Sequence, residues 1–169
     1  ALLPVLNPKE NPVFQREIQL AKNVIQHYQG EIPVLATIFT PLTWFQEMLN
    51  SCNPGPVLQM LADHKGEVHK ALDALLQTNL LLLDEMMDAG IDGIFLSTQF
   101  GTADLLSKEL RDEFCRPYDL ALLNHIKDRT WFNMMHVHYC ENLVMEEFMD
   151  YPVQAYNWEN CTACQDMNR

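Results

Sequence analysis

His136, His138 and Cys140 alternate along the run Met134-Met135-His136-Val137-His138-Tyr139-Cys140-Glu141-Asn142, just where an apolar stretch stops. Imidazole and thiolate are the side chains that bind zinc and related metals. Residues at i, i+2 and i+4 of a strand point to one face. If Trp131 to Val137 is a strand, His136 and His138 project together from its C-terminal end, with Cys140 next in line. In parallel α/β folds that end is where chemistry is assembled. Each residue alone also suits a plainer role, as a hydrogen-bonded core histidine or a small buried thiol. Their grouping is what points to a site.

Such a cluster needs strands to carry it. Four segments read as buried parallel strands: Pro33 to Phe39, Gly93 to Ser97, Trp131 to Val137 and Val153 to Asn157. Most are dominated by β-branched, aromatic or other apolar residues without clear alternation, as expected of strands covered on both faces. Helical patterns lie around them. An early helix spans about Val13 to Tyr28. From Glu67 to Ala89, apolar residues recur at three- and four-residue steps, and Gly90 stands where a left-handed cap is wanted. Ser107 is a good N-cap for Lys108 to Cys115, and Pro117 opens a further helix to Lys127. The expected order is α-β-α-β-α-β-α-β, with the third helix position split. Alternation of this kind implies right-handed βαβ units and a parallel sheet. Asn50 to Asp63, with Asn53-Pro54-Gly55-Pro56, reads as the main irregular segment, a rim loop or a plain connector.

A chain of 169 residues that is 48% apolar can fill one core. Its net charge of −12 argues against nucleic acid as a partner, because a phosphate backbone needs a basic footprint. The five cysteines are odd in number and irregularly spaced, a poor disulfide framework that fits a reducing, cytoplasmic compartment. No apolar run is long enough for a membrane span. No GxGxxG or Walker pattern is present.

Three blocks resemble the uroporphyrinogen decarboxylase superfamily, which includes cobalamin-dependent and coenzyme M methyltransferases. The first is Val34 to Leu42, a strand running into Thr40-Pro41-Leu42. The second is the most specific. It runs through Asp88-Ala89-Gly90-Ile91-Asp92-Gly93-Ile94-Phe95-Leu96-Ser97, then Leu105-Leu106-Ser107-Lys108-Glu109, Phe114 and Arg116-Pro117-Tyr118. The third is His136 to Asn142, followed by Tyr151-Pro152-Val153 and Asn157-Trp158.

The resemblance implies a (β/α)8 TIM barrel. Four strands are recognisable where closure needs eight, so residues 1–169 are expected to be part of a single barrel domain, truncated at both ends, with the remainder of the barrel as a partner. The rival is a small open flavodoxin-like sheet, which leaves the signature blocks unexplained. In the methyltransferase branch a His-x-Cys pair binds zinc, which lowers the pKa of a substrate thiol. Two registers are open here. His136 and His138 can occupy the pair's place, or His138 and Cys140 can match it literally, with Glu141 where the family usually has glycine. Either gives two protein ligands, and a third is expected outside this chain. The implied substrate is a small molecule, or a corrinoid protein whose corrinoid donates or accepts the methyl group. Ser97, Gln99, Asn157 and Trp158 follow strands and are expected to contact substrate at the mouth. Asp92 precedes a strand and belongs to a turn away from it. The decarboxylase branch uses no metal and holds substrate carboxylates with arginines. It has Phe-Ala-Lys where this chain has Met-His-Val-His. A non-catalytic homologue is the third possibility. Cys161-Thr162-Ala163-Cys164 is a lone CxxC, which by itself signals little.

Overall fold

Four short strands pair side by side in the order in which the chain makes them, all parallel. The computed structural model describes residues 3–50, 53–139 and 141–159. The strands are β1 (Leu35–Phe39), β2 (Gly93–Thr98), β3 (Met134–Val137) and β4 (Ala155–Trp158). Among the described residues, six α-helices accompany them: α1 (Pro12–Tyr28), α2 (Pro41–Asn50), α3 (Gly55–Asp63), α4 (Lys65–Ala89), α5 (Lys108–Phe114) and α6 (Arg116–Ile126).

Alternation along the strands gives the sheet two unlike faces. Ala36, Ile38, Ile94, Leu96, Met135 and Val137 pack in one apolar cluster with Phe14 and Ile18 of α1, Leu82, Leu83 and Met86 of α4, and Leu122, Leu123 and Ile126 of α6. The other face carries Thr37, Phe39, Phe95, Met134 and His136, each at least partly open. Helices on one side and sequential strand order are compatible with the wall of a barrel. A flavodoxin-like sheet is wound on both sides with its first strands out of order, so that rival is set aside.

Local signals account for several helix ends. The Asn11 side chain accepts hydrogen bonds from the Val13 and Phe14 amides at 2.9 and 3.3 Å, and Pro12 opens α1. Gly90 ends α4 at φ +99°, the left-handed region in which glycine pays no Cβ penalty. Ser107 caps α5 through the Leu110 amide at 3.4 Å.

Two expectations need correction. Within the stretch read as irregular, α3 forms over Gly55–Asp63, and Val57 and Leu61 are fully buried in a second apolar cluster with Leu42, Phe45, Leu72 and Phe114. Pro56 falls in its first turn, where a missing amide hydrogen costs nothing. The α-helix expected between β3 and β4 is replaced, among the described residues, by a single 3-10 turn at Met145–Glu147. Leu143, Val144, Phe148 and Tyr151 of that crossover fill the apolar cluster themselves, so a helix is not needed to cover it.

The N-terminal edge of the sheet is laced by polar groups. Asp92 accepts from the Val34 amide at 2.8 Å and from the Trp131 indole at 2.7 Å. Buried Asn133 accepts from the Ile94 amide at 3.1 Å. Gly93 leaves the space this requires, since a Cβ there would sit 1.8 Å from the Phe132 carbonyl oxygen.

Candidate functional site

Strand register aligns Phe39, Ser97, His136 and Asn157 in one row across all four strands. Register partners in a parallel sheet point to the same face, so the row lies on the side away from the helices, near the strands' C-terminal ends. His138, two residues beyond His136, follows the same parity, and its amide continues the ladder by donating to the Thr98 carbonyl at 2.9 Å. The two imidazoles stand next to each other, with ring centroids 5.6 Å apart.

His136 is held from two sides. The Phe95 ring stacks on it at 5.1 Å and 25° between planes. Its Nδ1 lies 2.6 Å from Oδ1 of Asn157. Burial moves its pKa below the ordinary histidine value, and the neighbouring His138 adds to that, against the bond to Asn157. A neutral imidazole with a free ring nitrogen is the form that ligates a metal.

The expected site residues separate on inspection. Ser97 lies between Phe39 and His136 in the row and is buried. Gln99 lies past the end of β2 and turns to α2. Its backbone amide donates to Thr43 Oγ1 at 3.0 Å, its side-chain amide donates to Glu47 at 2.7 Å, and it accepts from Gln46. Asn157 bonds His136. Trp158 pairs with Val137 and packs against the apolar cluster on the helix side, so it leaves the group. Adjacent residues of one strand face opposite ways, and only one of Asn157 and Trp158 can reach the mouth. Cys140, Cys161 and Cys164 lie outside the described residues.

Zinc suits the donor chemistry of His136 and His138, which would supply two ligands. Among the described residues no group of three or more His, Cys, Asp or Glu side chains is gathered for a metal. A catalytic zinc usually takes three protein ligands, so the described residues fit as part of a set.

A family model for uroporphyrinogen decarboxylase (URO-D) matches residues 2–169. The chain belongs to that family. Comparison with curated proteins gave no match. Members of the uroporphyrinogen decarboxylase family are generally enzymes built on a TIM barrel, and a parallel sheet with its site residues at the C-terminal ends agrees with that architecture. Among the described residues no helix is long and apolar enough to cross a membrane.

Sequence reasoning gave no site role to Phe95, the platform under His136, or to Gln46 and Glu47, which engage Gln99. Phe95 was within reach, because it lies two residues before Ser97 and therefore shares its face. Gln46 and Glu47 were not, since α2 itself was not foreseen.

Proposed function

We propose that this chain carries the metal-binding wall of a zinc-assisted methyltransferase of the corrinoid or thiol type, with His136 and His138 as two of the zinc ligands. The observation that carries the reading is the pair of adjacent imidazoles at the C-terminal end of β3, one of them kept neutral by burial. Zinc held there would supply Lewis acidity, lowering the pKa of a substrate thiol toward neutrality. The chain's own residues would orient and shield that centre. Phe95 fixes the plane of His136 and keeps water from one side of it, and buried Ser97 lies beside His136 in the row. The methyl carrier would be a corrinoid, which the described residues do not themselves identify.

Among the described residues, the open face of the sheet supplies no cation of its own for the carboxylates of a tetrapyrrole. Leu35, Thr37, Phe39, Phe95, Ser97, Met134, His136, Ala155 and Asn157 occupy the open-face positions of the four strands, and no Lys or Arg is among them. The basic residues at the starts of α4, α5 and α6, and Arg111 in the last turn of α5, are committed elsewhere. Lys65 pairs with Glu113 at 2.5 Å, Lys108 with Asp112 at 2.5 Å, Arg111 with Glu147 at 2.7 Å, and Arg116 with Asp150.

The test is zinc content of the protein that contains this chain, measured by elemental analysis after exhaustive dialysis. Stoichiometric zinc that disappears in a His136→Gln/His138→Gln variant supports the proposal. A metal-free wild-type protein that decarboxylates porphyrinogens would overturn it and establish the decarboxylase reading.

A further inference from the structure

Asn157 does more than line the mouth. Its amide oxygen lies 2.6 Å from Nδ1 of His136, and an amide oxygen accepts, so this arrangement calls for the hydrogen on Nδ1. That leaves the lone pair on Nε2. Free neutral histidine prefers the opposite arrangement, with the hydrogen on Nε2, so the contact has to reverse an intrinsic bias. A hydrogen bond of ordinary net strength, even one open to solvent, shifts such a ratio several-fold. The stacked Phe95 ring fixes the plane of the imidazole, and the bond to Asn157 fixes its rotation within that plane. The two contacts together determine where the Nε2 lone pair points.

We infer that Asn157 is a positioning residue that sets the tautomer of His136 and directs its Nε2 lone pair, so that His136 is prepared as a ligand before any metal arrives. This deepens the zinc reading and rests on it for its purpose, though the tautomer itself does not depend on metal. The pairing is between strands: Asn157 and His136 are register partners on β4 and β3, so ligand preparation is tied to sheet formation.

The experiment reads imidazole nitrogen shifts by long-range proton–nitrogen NMR on histidine-labelled, chelator-treated protein, with His136 assigned by the loss of its signals in His136→Gln. Wild type is expected to show a protonated Nδ1 and an unprotonated Nε2 at His136. Asn157→Asp keeps an acceptor and should retain that pattern, whereas Asn157→Leu should return His136 to the Nε2-protonated form. Zinc affinity should fall roughly 10–100-fold in Asn157→Leu and much less in Asn157→Asp. An Nε2-protonated His136 in the wild type overturns the inference whether or not Asn157→Leu folds. So does an unchanged tautomer in a folded Asn157→Leu. If the tautomers behave as stated and the wild type binds no zinc, the positioning role stands and the zinc reading fails.

Discussion

Arg111 on α5 grips Glu147 of the β3–β4 crossover with two parallel hydrogen bonds, Nε to Oε2 at 2.9 Å and Nη2 to Oε1 at 2.7 Å. The Arg111 side chain is 6% exposed, and its remaining nitrogen donates to the carbonyls of Thr102 and Leu106. A crossover with no α-helix among its described residues is thus fastened to the helix layer by fork-shaped ion pairs, this one and that of Arg116 with Asp150. Removing one half of such a pair strands the other. Arg111→Ala is expected to cost about 3 kcal/mol in urea unfolding. Arg111→Ala/Glu147→Ala should cost clearly less than the sum of the single changes. Additive losses would show that the pair is not coupled.

Asp119 is fully buried on α6, where the Tyr151 hydroxyl donates to its Oδ2 at 3.2 Å. Burial pushes its pKa up to about 8, and neither that hydrogen bond nor the charge of Arg116 offsets the shift. An unfolded aspartate ionises near about 4. Between about pH 4 and about pH 8 the folded state therefore holds a proton that the unfolded state has released, and stability falls as pH rises through that window. Above it the contribution is constant. Asp119→Asn should lose this slope and gain most relative to wild type near pH 8. Urea midpoints at pH 5 to 8 would check this, and parallel pH profiles for the two proteins would refute it.

Gly93→Ala places a methyl group 1.8 Å from a backbone oxygen that is itself held in the sheet, so the strand must shift. A loss above about 3 kcal/mol is expected, enough to empty the folded state of a marginal domain. Gly66→Ala is the matched control. It lies in α4 with nothing within 4 Å of the added atom, and should stabilise by about 0.5–1 kcal/mol. Thermal unfolding of both variants separates close approach from glycine's general flexibility.

Asp92→Ala removes the acceptor shared by the Val34 amide and the Trp131 indole. The expected cost is about 1–3 kcal/mol, with the Trp131 emission changed in the folded protein. Because Asp92 lies at the opposite edge of the sheet from His136, zinc binding per folded molecule should be unaltered. A lost zinc site in folded Asp92→Ala would contradict the separation of the two edges.

The strand order and the helices α1, α4, α5 and α6 were legible in the sequence because each has a local signature. Ser107 and Gly90 mark ends that the structure places where they are expected, and the three- and four-residue apolar steps mark α4. The side-by-side placement of His136 and His138 follows from strand parity alone. Trp158 was misassigned because β4 shows no apolar–polar alternation that could fix its parity, and a one-residue difference exchanges the two faces. Gln99 lies past the last residue of β2, where the period-two rule no longer applies, and its direction is set by α2. The segment around Pro54 and Pro56 misled because proline marks both turns and first helical turns. Replacement of a helix by Leu143, Val144, Phe148 and Tyr151 is a tertiary outcome, decided by which apolar groups fill the cluster.

The short β3–β4 crossover also bears on how the molecule assembles. Paired residues are 58 positions apart between β1 and β2, 39 between β2 and β3, and only 21 between β3 and β4. Closing the shortest of these loops is favoured over the longest by about 1 kcal/mol of chain entropy. Sheet assembly is therefore expected to start at β3–β4 and to recruit β1 last, a sequence that φ-value analysis of Met135→Ala and Ile38→Val would read directly. On that route the row holding His136 and Asn157 is made before the strand that bears Phe39 has docked. The chemical end of this sheet would then be its folding nucleus, and variants that loosen the site should slow folding more than they hasten unfolding.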